Sequence, residues 1–98
     1  MSTVPSEREA SNLFNAIGEP HRLRIVRLCF KGEQSVEQLL ATLKIDKSLL
    51  SKHLKVLREN NILLVRRLGR QATYFLNTKL LASDKNTLKL PCCNIQLK

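Results

Sequence analysis

Long hydrophobic runs are missing from this sequence. No stretch approaches the roughly 20 consecutive apolar residues that a membrane-spanning helix needs. Residues 1–9 also lack the charged-then-apolar order of a secretory signal peptide. Cysteines are few and odd in number, three in 98 residues, so they fit no disulfide framework and are expected as thiols or metal ligands. These absences favour a cytoplasmic protein.

Acidic residues are also scarce. Eight Asp and Glu stand against 17 Lys and Arg, which gives a formal net charge of +9 and favours a polyanionic partner such as nucleic acid. The hydrophobic content of 43% argues against disorder, and 98 residues allow one small domain whose limited core favours a dimer. Since the sequence shows no paired carboxylates, nucleophile and base pair or phosphate loop, we do not expect an enzyme.

Capping residues and apolar spacing divide the first half of the chain into three predicted helices. Segments 6–9 and 35–38 are capping boxes that open the first and third helices. Pro20 suits the first turn of the second helix. Gly18 and Gly32 supply the ends of the first and second helices.

A fourth helix is predicted from its N-cap, Asp46, through Glu59. Within it, Leu50, Leu54 and Leu57 repeat at intervals of four and three residues, so they face the core. The remaining surface carries Lys47, Ser48, Ser51, Lys52 and Lys55. The first four of these lie in the N-terminal half, the part that a recognition helix inserts into the major groove of DNA.

Two short strands, 63–67 and 72–76, are predicted after this helix because both are rich in β-branched, aromatic and apolar residues. Arg70, at the tip of the hairpin, is a candidate for insertion into the minor groove, and Arg66 and Arg67 are better placed for phosphates. The order of elements predicts a mostly α winged helix-turn-helix fold with about five helices and a two-stranded wing.

A last helix is predicted over about 78–85, with Asn77 as its N-cap, and is expected to join the first helix in a dimer interface. The chain reads as a single domain over residues 1–98, with dimerisation helices at 1–18 and 77–90 and a partly ordered, cysteine-containing tail at 91–98.

Three segments, 16–25, 48–58 and 67–70, followed by Tyr74, stand in an order that resembles the ArsR/SmtB family of small metal- or metalloid-responsive transcriptional repressors. The resemblance implies a homodimer that binds an inverted-repeat operator on double-stranded DNA and is released by an effector. The alternatives are a winged-helix protein–protein module without an effector and a merely solvated cationic face. The cationic outer face of the fourth helix favours DNA over a protein–protein module, and the order of elements favours DNA over a merely solvated face.

The sensing sites that the resemblance implies can be compared with this sequence. The cysteine pair of arsenic-sensing members is absent from residues 33–39. Zinc-sensing members use histidine and acidic ligands in the last helix, but residues 77–87 contain no histidine and only one acidic residue, Asp84, so that site is absent too. Persulfide-sensing members pair a cysteine of the second helix with one of the last. Cys29 lies two residues from the matching position, which is about 200 degrees around a helix.

Cys92 and Cys93 remain as the candidate effector site, similar to an adjacent pair near the C-terminus of some arsenic-responsive members. Adjacent thiolates suit a thiophilic ion such as As(III) or Sb(III), with a third sulfur from Cys29 or the partner chain. The alternatives are that Cys29 is a small buried hydrophobe, and that the pair is a redox or persulfide switch or is incidental. No obligatory cofactor is expected.

His53 allows several interpretations. No second histidine or acidic residue stands at helical ligand spacing around it, and the only other histidine is His21. We therefore favour a structural or phosphate-contacting role over metal ligation, and keep His53 among the DNA-binding candidates. Leu49 can either touch a thymine methyl group or pack in the core.

Overall fold

The computed structural model describes the backbone of residues 15–80, 87–89 and 94–96, and the side chains of residues 15–79. The described residues contain four α-helices and, near their C-terminal end, one short 3₁₀ turn. They are α1, described over residues 15–18, α2 (Pro20–Lys31), α3 (Val36–Leu43) and α4 (Lys47–Glu59). None of the helices in these residues is both long and apolar enough to cross a membrane.

Three strands form one antiparallel sheet in the order β1, β3, β2. They are β1 (Gln34–Ser35), β2 (Leu63–Leu68) and β3 (Gln71–Leu76). Strands β2 and β3 are the predicted hairpin, each one residue longer at the turn. Strand β1 was not predicted, because two residues are too few to show a periodic pattern. It pairs with the middle of β3 and so attaches the segment before α3 to the wing.

The predicted helix boundaries follow local chemistry. The Ser35 hydroxyl accepts a hydrogen bond from Gln38 N at 3.1 Å, and the Gln38 side chain accepts one from Ser35 N at 2.8 Å, which confirms that capping box. Asp46 occupies the N-cap position of α4, but its side chain makes no capping hydrogen bond. After α4, Asn61 adopts a left-handed conformation with φ of 58°, which asparagine tolerates better than most residues other than glycine.

The core lies between α2, α3, α4 and the inner face of the sheet. The three leucines of α4 predicted to face inward, Leu50, Leu54 and Leu57, are buried, with at most 3% of their surface exposed. They pack with a cluster that includes Ile25, Val26, Leu39, Ile62 and Leu63. Because three side chains anchor one face of α4, the rotation of the helix about its axis is fixed.

The predicted last helix is wrong where the structure describes it. Thr78–Leu80 form a single 3₁₀ turn, in which the Asn77 side chain accepts a hydrogen bond from Lys79 N at 3.2 Å. Thr87–Lys89 form a strand, β4, paired antiparallel with β5 (Asn94–Gln96). A hairpin satisfies these backbone groups locally, and the β-branched Thr87 and Ile95 suit it. The predicted dimerisation segment 77–90 is therefore not one continuous helix, and residues 1–14 and 81–86 lie outside the described residues.

Candidate nucleic-acid interface

The outer face of α4 carries the side chains that the leucine spacing predicts. Lys47, Ser48, Ser51 and Lys52 are all exposed, within the first six residues of the helix. Leu49 is 37% exposed, so it lies at the edge of this surface rather than in the core. Short hydroxyls next to long cations can approach base edges and phosphates respectively. We call Lys47, Ser48, Ser51 and Lys52 the recognition surface.

The wing brings two arginines to the start of α4. Lys47, Arg67 and Arg70 line one groove of about 250 Å³, together with residues of α3 and β3. Gly69, at the hairpin turn, has φ of +62°, a conformation in which glycine carries no steric penalty. Because Arg70 is the second residue of this turn and is exposed, it stands at the tip of the wing. Three cations from two separate elements therefore converge on one side of the molecule.

Arg66 differs from the other wing arginines. Its Nη1 lies 2.7 Å from Glu33 Oε1, and its guanidinium lies over the Phe75 ring at 5.2 Å from the centroid. The predicted phosphate-contacting role of Arg66 is therefore not supported by its position, since its charge is already paired within the chain. Its contacts link β2 to β3 and to the segment before β1.

Lys55 lies apart from the recognition surface. It is exposed, as predicted, but it lines a second groove of about 800 Å³ with Arg58 and Glu59 of α4, and with residues of β2 and β3. Eight residues of α-helix separate Lys55 from Lys47, which is about 12 Å along the axis. Lys55 therefore lies on a different part of α4 from Lys47, outside the recognition surface.

His53 is buried, with only 7% of its side chain exposed, so it lies away from the exposed recognition surface. This position agrees with the structural role expected from the sequence better than with a phosphate contact. The ring faces the start of α2, where Arg22 Nη1 lies 3.4 Å from His53 Nδ1 and Glu19 Oε2 lies 3.8 Å from His53 Nε2. The His21 ring stacks near it, with centroids 5.6 Å apart. Helical spacing within α4 could not reveal these neighbours, since they come from another helix.

Glu19 and Arg22 organise this junction between α2 and α4. The Glu19 carboxylate accepts a hydrogen bond from Arg22 N at 2.9 Å, which caps α2, and its other oxygen lies 3.1 Å from His21 Nδ1. Arg22 donates from Nε to Ala16 O at 2.6 Å and from Nη2 to Asn15 O at 3.1 Å. The side chain of Arg22 thereby ties α1 to α2.

The junction also sets charge states. Burial lowers the pKa of His53 and outweighs the opposite effect of the Glu19 charge, so the neutral imidazole is favoured. Burial alone would raise the pKa of Glu19, but the hydrogen bonds from Arg22 N and His21, together with the nearby histidine charges, hold it below its usual value. At neutral pH this site therefore contains an ionised carboxylate beside a neutral, buried imidazole.

Cys29 is a core residue, and its predicted role as a metal ligand is not supported. The side chain is 4% exposed, and burial raises the pKa of its thiol to about 12. A thiol in that state is neither a nucleophile nor a thiolate ligand at neutral pH. Cys92 and Cys93 lie outside the described residues.

Alkylation should distinguish Cys29 from exposed cysteines. In a Cys92→Ser/Cys93→Ser variant, we expect the folded protein to resist an alkylating reagent at pH 7–8, because Cys29 is buried and protonated. The same variant should be labelled once per chain in denaturant, as mass spectrometry can measure. Rapid labelling of the folded variant would contradict the burial of Cys29.

The sequence has recognisable relatives. Residues 19–63 match the family described as "Bacterial regulatory protein, arsR family". The chain is 32% identical over 74 residues to the transcriptional repressor SmtB homolog of Synechocystis sp., an alignment that covers 76% of this chain and 56% of that protein. It is 30% identical over 76 residues to the transcriptional repressor SdpR of Bacillus subtilis, covering 78% of this chain and 84% of SdpR.

A solved structure agrees with these matches. The transcriptional repressor BigR from Xylella fastidiosa superposes with a TM-score of 0.66 at 37% identity, over 71% of each chain. The winged-helix fold predicted from the sequence is thereby confirmed. The two sequence relatives are transcriptional repressors, which confirms the expectation of a protein that is not an enzyme. The chain spans 56% of the length of the Synechocystis relative.

Proposed function

Because this chain belongs to the ArsR family of bacterial regulatory proteins, we propose that it is a cytoplasmic transcriptional repressor that binds a specific DNA operator as a homodimer. The observation that carries the proposal is the position of the recognition surface. Three buried leucines hold α4 so that Lys47, Ser48, Ser51 and Lys52 face solvent beside Arg67 and Arg70. A net charge of +9 adds a general attraction to DNA.

The two elements have different tasks in this proposal. The N-terminal half of α4 enters the major groove, where the serines approach base edges and the lysines reach guanine acceptors or phosphates. Arg70 enters the adjacent minor groove from the wing tip, and Arg67 contacts the backbone beside it. A dimer would place two such units on half-sites about one helical turn, 34–36 Å, apart, which explains the expected inverted repeat.

Footprinting on the DNA upstream of the protein's own gene tests the proposal. We expect protection of one inverted repeat, together with an affinity that falls steeply with salt while the preference for that repeat over unrelated DNA is retained. Binding that is equally strong on every duplex would instead describe a generic polycation, and no binding to any duplex would favour a protein–protein module.

The proposed effector is arsenite or antimonite at Cys92 and Cys93. The burial of Cys29 supports a site without that residue, so any third sulfur would come from the partner chain. Titration of the DNA complex with arsenite, with wild type beside Cys92→Ser and Cys93→Ser, tests this. If both variants release DNA as wild type does, the site is wrong. Release by a persulfide or oxidant alone would favour the alternative thiol switch.

Arg66 and Arg67 make a matched pair of neighbouring arginines. Arg67→Ala should weaken DNA binding and reduce the slope of log K against log salt by about one per protomer, because a phosphate contact is lost. Arg66→Ala should leave the slope unchanged and lower the free energy of unfolding by at most about 1 kcal/mol, since it removes a surface ion pair with Glu33. Equal changes in slope for both variants, measured by fluorescence anisotropy, would contradict this division of roles.

A further inference from the structure

Three ligand-type side chains from two helices meet beside the start of α2. Glu19 is the N-cap of α2, His21 lies in its first turn, and His53 comes from the middle of α4. One ligand atom from each lies within 4.8 Å of the other two. We propose that this Glu19–His21–His53 cluster binds a divalent transition-metal cation such as Zn²⁺, Co²⁺ or Ni²⁺. It coincides with none of the sensing sites considered from the sequence.

The ring nitrogen Nε2 of His53 is the observation that indicates a bound ligand at this cluster. The side chain is 93% buried, and Nε2 has no hydrogen-bond partner among the residues that the structure describes. The Glu19 oxygen it faces is 3.8 Å away, beyond hydrogen-bond distance. A buried polar atom without a partner costs about 1–3 kcal/mol, and such atoms are rare in folded proteins. A cation between the two groups would satisfy both.

The spacing of the ligand atoms fits a zinc-type ion. Bonds of about 2.0–2.2 Å in a tetrahedral arrangement place neighbouring ligand atoms about 3.3 Å apart. Glu19 Oε1 lies 3.1 Å from His21 Nδ1 and Glu19 Oε2 lies 3.8 Å from His53 Nε2. One atom from each of the three residues lies within 4.8 Å of the other two, so the side chains must draw closer by up to about 1.5 Å to bind the ion. Glu19 and His21 are about a third exposed, so they can adjust and leave a fourth position for water. Two imidazoles and one carboxylate suit a borderline cation better than Mg²⁺ or Ca²⁺.

The charge of Arg22 opposes the cation and must be accommodated. When a metal ion takes the Nε2 lone pair, Nδ1 of His53 carries the ring proton and can no longer accept from Arg22 Nη1. That contact is long, 3.4 Å, and Arg22 keeps its two shorter hydrogen bonds to the carbonyls of Ala16 and Asn15. Loss of this one contact is the structural change that binding requires.

The cluster connects metal occupancy to the recognition surface. His53 follows Ser51 and Lys52 directly on α4, whereas Glu19 and His21 belong to the start of α2. A metal ion would therefore tether the recognition helix to α2 and change its affinity for DNA. This regulatory consequence rests on the proposed function, whereas the binding of the ion does not.

Titration with Co²⁺ tests the site directly. In the Cys92→Ser/Cys93→Ser background, which removes the competing thiols, we expect one Co²⁺ per chain, a visible ligand-field absorption without thiolate-to-metal charge transfer, and displacement by Zn²⁺. His21→Gln in that background should bind Co²⁺ at least roughly tenfold more weakly. Removing an outer-shell partner of a metal ligand already lowers metal affinity by about 10–100-fold, and removing a direct ligand should cost at least the lower of these values. His21 is 38% exposed, so the variant should fold.

A matched control and a second measurement complete the test. Glu59→Gln, in the same background, removes an exposed carboxylate elsewhere on α4 and should leave Co²⁺ binding unchanged. Equal Co²⁺ affinity in His21→Gln and Glu59→Gln, or no stoichiometric binding at all, would overturn the site. Zn²⁺ should alter DNA affinity in the background protein and not in His21→Gln; an equal effect in both would overturn the coupling. If no variant binds DNA, the proposed function fails while the Co²⁺ result stands.

Discussion

Replacing Leu50 by alanine is expected to lower the free energy of unfolding by about 2–5 kcal/mol, as measured by urea denaturation followed by circular dichroism. Leu50 has no exposed surface, so its loss removes buried apolar contacts and leaves a cavity between α4 and the rest of the core. Small domains are stable by only about 5–15 kcal/mol, so this is a large fraction of the total. DNA binding should weaken because α4 loses one of its three anchors.

The adjacent leucine is the control. Leu49 is 37% exposed, so Leu49→Ala makes the same chemical change one position away and should lower the free energy of unfolding by less than about 1 kcal/mol. Any loss of affinity in Leu49→Ala would then report a contact with DNA, such as a thymine methyl group. Similar destabilisation by the two substitutions would mean that α4 is rotated differently from the structure described above.

The double variant Lys52→Ala/Arg70→Ala is expected to bind its operator at least about 100-fold more weakly than wild type at near-physiological salt. Each substitution removes a DNA contact worth about 1–3 kcal/mol, and each is present twice in a dimer. Both side chains are exposed and the described ion pairs include neither, so the free energy of unfolding should change by less than about 1 kcal/mol. Fluorescence anisotropy with a labelled operator measures the affinity.

A variant with the same change in charge separates position from net charge. Arg27→Ala/Lys31→Ala removes two exposed cations from α2 and should weaken binding several-fold at most, through the long-range attraction alone. The double variant of α4 and the wing should also lose preference for the operator over unrelated DNA, which the α2 variant should keep. Equal losses in the two would show that DNA binding depends on charge without a defined surface.

The recognition surface was predictable because it depends on a local pattern. Apolar side chains at intervals of four and three residues must share one face of a helix, and hydrophobic burial then decides which face turns inward. The exposure of Lys47, Ser48, Ser51 and Lys52 follows once Leu50, Leu54 and Leu57 are buried. The capping box of Ser35 and Gln38 gave the start of α3 for the same reason, since a cap acts within about four residues of the backbone that it satisfies.

The roles of Arg66 and His53 were not predictable in this way. Arg66 pairs with Glu33, and His53 meets Glu19 and Arg22, so each contact joins residues more than 30 positions apart. No periodicity within one helix or strand carries information about such a pair. The sequence therefore predicted both residues to belong to a basic, DNA-binding surface, because the helix and the strand in which they lie are basic.

The last predicted helix failed for a related reason. Asn77 does cap a turn, as its sequence context suggests, but the residues that the structure describes after it, Thr78–Leu80, adopt a 3₁₀ rather than an α conformation. A cap and two leucines favour a helix start without fixing its length. Strand pairing between Thr87–Lys89 and Asn94–Gln96 then competes for residues that a helix would otherwise include.

The sequence by itself determined the fold class, the rotation of α4 and the basic character of the wing, because these depend on hydrophobic periodicity, capping and charge within short segments. Only the tertiary structure decided that Arg67 and Arg70 join Lys47, that Arg66 is paired with Glu33, and that Glu19, His21 and His53 meet at one junction. These outcomes depend on how separate helices and strands pack together. Packing brings distant residues within a few ångströms, where burial and neighbouring charge, rather than position in the chain, set what each side chain can bind.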